Sequence, residues 1–394
     1  MCSFHAKINK MTKALIICEG KITRLGRVRR TIELLQEMDV EISSLSNEPS
    51  YDFYFAQQFL LPKISASLFA RLYRFFLKVL RWFMPVFEIQ LAITRKITGI
   101  NKGIIPHGKS WDLIIVEHID FLPFACHLKE ELKTKLVFDI RDFYPREFEK
   151  YFWFRFLEAN YRKAVFNSLL KKCDVVYTVS HGLVDALKQD YGINAHLIRS
   201  MPMFENQPVK PVKDDTIRIV HHGSANADRL LGETINLVGK LDKRFTLDLY
   251  LVGNSNDILK LKQMAGDNTA IRFNDPVPFD RLISTLNQYD IGIFFWEPTT
   301  FNIKYCLPNK LFEYIQARLM IISTPLPDIL RLVKEHKCGL ILPSFDLNES
   351  VKVINNLTAS KVLEAKKASD SAASKLCFQE EKKLLRSILS LSAN

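Results

Sequence analysis

Short apolar runs alternate with amphipathic stretches along most of the chain. In the first half, the apolar runs are KALIIC, WDLIIVE, KLVFDI and DVVYTVS. Each is followed by a helical pattern, such as the one from Arg24 to Gln36. This alternation is the βαβ rhythm of a parallel, doubly wound sheet. The pattern therefore predicts an α/β fold.

The rhythm breaks after Ser200 and then restarts. The segment MPMFENQPVKPVKDDT has three prolines and little apolar periodicity, which predicts a linker. The strands predicted after it are TIRIVHHG, LDLYLVGN, AIRF, DIGIFF, LMIIST and CGLIL. We predict two Rossmann-like domains, at residues 1–207 and 208–375, and a C-terminal helix at 376–394 that packs back toward the first domain. Ligands of open parallel sheets bind beyond the carboxyl ends of the strands, so we expect the site in a cleft between the two domains.

Composition and charge indicate which general class of protein this is. The chain has 394 residues, 47% of them hydrophobic, and a net charge of +12, which suits two globular domains and an anionic partner. The seven cysteines are scattered without zinc-site spacing, so we expect reduced and mostly buried thiols. The first apolar run is too short for a signal peptide, and no run could span a bilayer. We therefore expect a cytoplasmic protein.

Two nucleotide-binding motifs are weak in this sequence. The octapeptide GIIPHGKS at residues 103–110 has Walker A spacing, but a strand rather than a helix is predicted after it, and Pro106 removes one amide. The loop EGKITRLG has only Gly20 and Gly26 and lacks the GxGxxG spacing of a dinucleotide site. No DxD pair ends a strand, so no metal-bridged nucleotide site is expected.

One long segment resembles a known family. The stretch DIGIFFWEPTTFNIKYCLPNKLFEYIQARLMIIST resembles the donor-site region of GT-B glycosyltransferases of family 4, especially bacterial enzymes of surface-polysaccharide assembly. Upstream, VHHGSANADRLL resembles the family's glycine turn, and VFDIRDFYPREFE and DVVYTVSHGLVDAL resemble strands of its N-terminal domain. The resemblance covers most of the chain from Lys13 to about Leu342, and it implies two Rossmann-like domains that face a cleft.

Residues at the start of the helix predicted after Leu307 indicate a donor site. Pro308 opens the helix and leaves the amides of Asn309, Lys310 and Leu311 without partners inside the helix, which suits a diphosphate. The resemblance assigns Glu313 to the ribose hydroxyls, although a first-turn glutamate can also simply complement the helix dipole. We expect Glu313 to be partly accessible to solvent.

Other donor-side positions follow from the glycine turn. Gly223 lets a phosphate approach the backbone, and Ser224 stands beside it where the family has an arginine. Arg229 falls near the family's lysine that neutralises the leaving group, and Lys310 is a second candidate for that role. A solvated helix charge is the alternative reading of Arg229.

The resemblance also implies an acceptor side and several departures. His118 matches a cleft histidine near the transferred sugar, or else is structural, and Gly20, Arg141 and Asp142 belong to the acceptor side. Tyr305 replaces the earlier of two family glutamates, so the sugar identity cannot be inferred. The family's helix-ending glycine turn is replaced by residues 317–320, and loss of that glycine strains or reshapes the turn.

The predicted reaction is retaining transfer of a sugar from a nucleotide diphosphate to an acceptor hydroxyl, with Arg229, Lys310 and helix amides stabilising the leaving group. His118 completes the predicted catalytic set. No cofactor and no metal are expected. The partners are a nucleotide sugar and a glycan or lipid-linked acceptor, and not nucleic acid. A nucleotide-sugar epimerase of the same fold, or a non-catalytic subunit of an assembly complex, remains an alternative.

A basic amphipathic stretch predicts peripheral binding to the inner face of an anionic membrane. In RLYRFFLKVLRWFMPVFEIQLAITRK, basic residues recur at helical spacing among large apolar side chains. The residues assigned to this membrane face are Arg71, Arg74, Lys78, Arg81 and Trp82. Packing of a basic helix on the N-terminal domain is the alternative.

Overall fold

The computed structural model describes residues 11–22, 25–61, 108–225 and 230–390, and isolated positions 72, 75, 76 and 79. The described chain divides into two compact units. The first comprises the described residues up to Thr178, Leu183–Ile198 and the chain from Leu384, and the second comprises Val179–Gly182 and Arg199–Lys383. The domain boundaries given above, at 207/208 and 375/376, stay predictions.

The first unit contains a parallel sheet of seven described strands in the order β3-β2-β1-β4-β5-β6-β7. The strands are β1 Lys13–Ile17, β2 Glu41–Ser46, β3 Gln57–Leu60, β4 Leu113–Val116, β5 Lys135–Ile140, β6 Val175–Thr178 and β7 His196–Leu197. The helices are α1 Gly26–Glu37, α2 Leu122–Leu132, α3 Phe152–Leu157, α4 Ala159–Leu169 and α5 His181–Tyr191.

The second unit contains a parallel sheet of six described strands in the order β10-β9-β8-β11-β12-β13. The strands are β8 Ile217–Ser224, β9 Phe245–Val252, β10 Ile271–Asn274, β11 Ile291–Phe294, β12 Met320–Ser323 and β13 Gly339–Ile341. The helices are α6 Leu231–Gly239, α7 Ser255–Ala265, α8 Phe279–Leu286, α9 Phe301–Lys304, α10 Asn309–Gln316, α11 Pro327–His336, α12 Leu347–Asn355 and α13 Ala359–Ala373. The last helix, α14 Phe378–Leu389, begins in the second unit and ends in the first.

The apolar runs of the sequence form the central strands of both sheets. β4, β11 and β12 are buried along their whole length, as expected for parallel strands that are covered by helices on both faces. In the second unit, two buried apolar clusters lie on the two faces of the sheet, one built on α10 and α11 and the other on α6 and β9. The predicted fold, two doubly wound Rossmann-like sheets, is confirmed.

The strand orders locate the ligand-binding edge of each sheet. In each order the direction of winding reverses once, between β1 and β4 in the first unit and between β8 and β11 in the second. Open α/β sheets bind ligands at the carboxyl ends of strands beside such a reversal. The residues that follow these strands are therefore the first place to look for a site.

The turn after α10 lacks the glycine that usually ends a helix. Arg318 takes the left-handed conformation there, with φ of 61°, which most side chains avoid. Its buried guanidinium donates to the Asp370 carboxylate at 2.7 Å and to the Glu205 carbonyl at 2.8 Å, and these bonds offset the backbone cost. The expectation that the turn without glycine is strained or reshaped is confirmed.

Several sequence expectations lie outside the described residues. They include most of the Walker A-like octapeptide, at residues 103–107, and every residue assigned to the membrane face. Six cysteines are described; all are free thiols, and four are buried. Among the described residues, no helix is both long enough and apolar enough to cross a membrane.

Candidate functional site

The second unit places a lysine and a glutamate together near the carboxyl end of β8. Both belong to α10, which begins at Asn309 after Pro308, whose extended backbone occupies the N-cap position. Lys310 and Glu313 are three residues apart, so their side chains share one face of the helix. Both are buried, and each contacts a histidine of β8, as described below.

One of the backbone amides at the start of α10 that the sequence predicted to be unpaired donates a hydrogen bond. The Leu311 amide donates to the Pro308 carbonyl at 3.0 Å, which closes a tight first turn. The expectation that this amide has no partner within the helix end was wrong, because the proline carbonyl turns back over the helix. The anion-binding capacity of this end therefore depends more on the Lys310 ammonium.

His221 orients that ammonium. Its Nδ1 lies 3.0 Å from the Ile293 carbonyl, which can only accept, so Nδ1 carries the proton. The other ring nitrogen, Nε2, is then an acceptor, and the Lys310 Nζ donates to it at 3.3 Å. The Lys310 ammonium thus donates to a neutral imidazole, which adds no charge of its own to this contact. Lys310 Nζ also lies 5.6 Å from the centroid of the buried Trp296 ring, within cation-π range.

His222 contacts the glutamate instead. Its Nε2 lies 3.2 Å from Glu313 Oε2, and its ring packs edge-on against the ring of Tyr314 at 5.4 Å. The two adjacent histidines of β8 therefore serve two different residues of α10. The His222 Nε2 atom makes no hydrogen bond, so this is a close contact only, and the two carboxylate oxygens, with about four lone pairs, can still accept hydrogen bonds.

Glu313 is less accessible than expected. Its exposed fraction is 8%, so the expectation of a partly accessible carboxylate was wrong. The physical reason is the packing of α10 against β8, which covers the glutamate with His222. A ligand that reaches both carboxylate oxygens must displace or share this histidine contact.

Gly223 is required at its position for two independent reasons. Its φ of 110° is a backbone conformation that side chains rarely adopt. A Cβ at this position would lie 3.0 Å from Lys310 Nζ and 3.4 Å from its Cε. The missing side chain therefore leaves room for the lysine beside the strand end, where the sequence predicted an approaching phosphate.

The structure describes two of the three remaining residues that the sequence assigned to the donor side. Ser224 is the last residue of β8 and is exposed, and Asn309 is the first residue of α10. Arg229 lies outside the described residues. The lysine, rather than this arginine, is the cation that the described structure brings to the strand end.

In the first unit, a buried carboxylate lies at the winding reversal. Glu117 follows β4 and is 1% exposed, and its Oε2 lies 3.8 Å from an Arg141 guanidinium nitrogen. Burial, with a further contribution from Asp139, raises the pKa of Glu117 to about 7, although Arg141 and Arg27 oppose the shift. A carboxyl group in this setting changes its charge near neutral pH.

His118 stands next to Glu117 among acidic side chains. Its Nε2 lies 3.4 Å from a Glu19 oxygen, and its Nδ1 accepts from the Asp120 amide at 3.3 Å. Because Nδ1 accepts, the proton is on Nε2, toward Glu19. The ring also packs edge-on against Tyr144 at 5.2 Å. The structure thus places His118 at the carboxyl end of β4, as the sequence predicted.

The other predicted acceptor-side residues lie at the same edge of the first sheet. Arg141 and Asp142 follow β5 and are half-buried, and Gly20 follows β1. Burial would lower the pKa of Arg141, but Glu117, Tyr144 and Asp139 more than offset this and raise it. Gly20 has φ of 87°, and its amide donates to the Asn47 side chain at 2.6 Å.

Sequence reasoning missed three residues of these two clusters, namely Glu117, His221 and His222. Two of them were visible as the HH pair before the glycine turn, because adjacent residues of a strand end face opposite sides of the sheet and reach different neighbours. Glu117 carried no such signal. Its importance depends on burial and on Arg141, which comes from another strand.

No metal centre is apparent in the part of the chain that the structure describes. Within these residues, no group of three or more His, Cys, Asp or Glu side chains could hold a metal ion. The clusters at β4 and β8 offer charge and hydrogen bonding to a ligand through protein groups.

Sequence comparison gives no relative. No protein-family model matches the chain, and no curated protein sequence matches it.

Comparison with solved structures does find relatives in fold. A glycosyltransferase from Rickettsia africae has 14% sequence identity and a TM-score of 0.65, with 97% of this chain and 100% of that chain covered. A sucrose-phosphate synthase from Thermosynechococcus elongatus has 12% identity and a TM-score of 0.69, with 96% and 98% covered. HepE from Anabaena, solved in complex with UDP and glucose, has 12% identity and a TM-score of 0.66, with 96% and 99% covered.

The chain has the GT-B fold. Coverage is nearly complete in both directions, so both Rossmann-like units, and not one alone, belong to the likeness. At these identities the comparison establishes the architecture. It confirms the fold that the sequence resemblance implied.

Proposed function

We propose that this protein is a retaining glycosyltransferase that moves a sugar from a nucleotide-diphosphate sugar to an acceptor hydroxyl. The acceptor is a lipid-linked glycan of surface-polysaccharide synthesis, as the sequence resemblance implies. The observation that carries the proposal is the pairing of Lys310 and Glu313 with two histidines at the carboxyl end of β8. Two solved proteins of the same fold are named glycosyltransferases.

Two parts of a nucleotide-sugar donor, the diphosphate and the ribose, have a matching group in the second unit. A diphosphate needs positive charge, which Lys310 supplies at the carboxyl end of β8, where its ammonium lies beside Gly223. A ribose needs an acceptor for two hydroxyl protons, which the Glu313 carboxylate supplies. Gly223 keeps the strand end free of a side chain, and Ser224 and Asn309 add polar groups next to it.

Charge stabilisation is the main chemical task in the proposed reaction. When the glycosidic bond breaks, negative charge builds up on the leaving diphosphate, and a fixed cation in a water-poor setting lowers the barrier. Lys310 takes this role, with Arg229 as a second cation and without a metal ion. The leaving phosphate then accepts the proton of the incoming hydroxyl, so no protein base is needed on the donor side.

The first unit carries the acceptor in this proposal. His118, Glu117 and Asp120 lie at the edge of the first sheet, and Arg141 is held beside Glu117. Carboxylates and imidazoles hydrogen-bond hydroxyl groups well, which suits a glycan acceptor. Glu117 joins the predicted residues His118, Arg141 and Asp142 on this side.

The test is a calorimetric titration with UDP, GDP and dTDP. Glu313→Gln is expected to weaken binding of the preferred nucleotide tenfold or more, because an amide offers one acceptor where the carboxylate offers two charge-assisted ones, each worth about 1.5–3 kcal/mol. The matched control is Glu233→Gln, an exposed glutamate in the first turn of α6.

The control separates a ligand role from a helix-dipole role. Glu233→Gln is expected to leave nucleotide affinity unchanged. If Glu313→Gln also binds the nucleotide as tightly as the unmodified protein, Glu313 does not contact the ribose and the donor-site proposal is wrong. Screening UDP-, GDP- and dTDP-sugars for hydrolysis, with and without added acceptors, then identifies the donor and distinguishes transfer from epimerisation.

A further inference from the structure

Two cysteines that are far apart in the sequence meet in the first unit, away from the two clusters described above. Cys126 is on α2 and is 3% exposed, and Cys173 is half-buried and comes two residues before β6. Both are free thiols. The start of β6 lies at the amino-end edge of the parallel sheet, whereas the predicted acceptor-side residues follow the carboxyl ends of β1, β4 and β5.

Several polar contacts hold α2 against the segment that contains Cys173. The Lys129 ammonium donates to the Lys172 carbonyl at 2.7 Å and to an Asp174 carboxylate oxygen at 2.6 Å. The Lys172 ammonium in turn donates to the Glu130 carboxylate at 2.6 Å. α2 is therefore fixed to the residues on both sides of Cys173.

The thiols of Cys126 and Cys173 are in contact with each other. Cys126 comes one turn before Lys129 on α2, so the two side chains share one face of the helix. The Cys173 thiol donates to the Leu169 carbonyl at 3.8 Å and shares a hydrogen bond with the Cys126 thiol. A disulfide needs Cβ atoms about 3.5–4.5 Å apart, and sulfur atoms in hydrogen-bond contact come close to that geometry.

One of the two thiols is accessible to a reagent. Cys173 is half-buried, whereas Cys126 is covered. A groove of about 610 Å³ lies next to Cys173, because the residue that follows it lines the groove together with Lys129, Lys133 and Lys135. The three ammonium groups favour an anionic reagent.

We propose that Cys126 and Cys173 are a redox modification site, which an anionic low-molecular-weight disulfide such as glutathione disulfide converts into an intramolecular disulfide. The Cys173 thiolate attacks one sulfur of the reagent, whose S–S bond breaks and releases one glutathione thiolate. The Cys126 thiolate then attacks the Cys173 sulfur of the mixed disulfide and releases the second glutathione. The protein thus loses two protons and two electrons, and the reagent is reduced to two thiols.

The surroundings of Cys173 determine how fast this reaction proceeds. The contact with Cys126 and burial raise the pKa of Cys173, Asp174 adds to the shift, and Lys129 opposes it. Because only the thiolate attacks a disulfide, the reaction is slow at neutral pH and accelerates about tenfold for each pH unit below that pKa. In a reducing compartment such a bond is transient.

The test is incubation of the full-length protein with glutathione disulfide at mildly alkaline pH, followed by mass spectrometry of its unreduced peptides. We expect one cross-linked peptide pair, joined through Cys126 and Cys173, and complete reversal with dithiothreitol. The oxidised protein is expected to melt at least about 3 °C higher than the reduced protein, because the cross-link constrains the unfolded chain. The test uses neither nucleotide nor sugar, so its result is independent of the proposed glycosyl transfer.

Single variants separate the two steps. Cys126→Ala is expected to keep one glutathione bound to Cys173, because the second thiol is missing. Cys173→Ala is expected to leave Cys126 unmodified, because Cys126 is covered. The matched control is Cys338→Ala, which removes a buried cysteine of the second unit and is expected to oxidise like the unmodified protein. Melting curves of the reduced variants check that each one folds, and peptide mapping of the unmodified protein decides the question if one does not.

Three results for the unmodified protein would overturn the proposal. The first is that Cys126 and Cys173 both stay reduced after exposure to glutathione disulfide. The second is a disulfide that joins either of them to another cysteine, including Cys2, which lies outside the described residues. The third is a glutathione adduct that persists on Cys173, since that would show that the two sulfur atoms do not meet.

Discussion

The two units have the same kind of sheet but carry different chemistry at equivalent edges. At the end of β8, the ammonium of Lys310 donates to a neutral histidine. At the end of β4, the buried glutamate lies beside an arginine and its neighbours are mostly acidic, including Glu19 and Asp120 near His118. In the proposed function, the first of these edges binds an anion and the other binds hydroxyl groups.

In the proposed function, one kind of scaffold serves two purposes. A parallel doubly wound sheet brings residues to the winding reversal whatever their type, so the fold determines the place and the side chains determine the ligand. In the second unit, Gly223 leaves room for the cation Lys310 and His221 orients it. In the first, burial makes the charge of one carboxyl group depend on pH.

The largest expected effect is at the cation of the second unit. Lys310→Met keeps most of the apolar stem of the side chain but removes the ammonium, and we expect sugar transfer to slow by about 10²–10³. Lys334→Met, at an exposed position on α11, is the control for loss of one positive charge. A rate for Lys310→Met within a factor of two of the control would show that the β8 edge is not the anion-binding edge.

A second prediction concerns the pH dependence of stability that Glu117 confers. Its pKa is raised from 4.5 to about 7 in the folded protein, so the folded state holds this proton more tightly than the unfolded state. The resulting stabilisation is present below pH 4.5 and is lost as pH rises through about 7. Over this interval it amounts to on the order of 3 kcal/mol.

Glu117→Gln removes this dependence, because glutamine does not titrate. The free energy of unfolding, measured by denaturant titration at about pH 4.5 and about pH 7.5, is expected to fall less with rising pH in the variant than in the unmodified protein. Glu131→Gln, at an exposed position of α2, is the control. If Glu117→Gln and the unmodified protein show the same change, the β4 edge holds an ordinary ionised carboxylate and the contrast between the two edges weakens.

The smallest expected effect is that of metal removal. Since Lys310 supplies charge to the leaving group, sugar transfer is expected to proceed at full rate in EDTA. Complete loss of activity in EDTA, restored by magnesium or manganese, would mean that the cation of the β8 edge is a metal ion and would contradict the proposed donor site.

The periodicity of the sequence was sufficient for the fold. Runs such as LIIV at 113–116 and IGIF at 291–294 are apolar throughout because both faces of a parallel strand are covered, and that pattern can be read without any coordinates. The residue types at the start of α10 predict a donor site, and this stays a prediction. The missing glycine at Arg318 correctly indicated an unusual turn.

The tertiary structure alone determined which groups the functional side chains contact and how far each side chain is buried. Whether Glu313 is accessible depends on a histidine from a strand about ninety residues earlier, and the use of the Leu311 amide depends on the path of the preceding carbonyl. The pKa of Glu117 depends on burial and on charges from α1 and β5. A sequence determines which groups are available and how they repeat along the chain, but desolvation and Coulomb interactions depend on distances that only the folded chain defines.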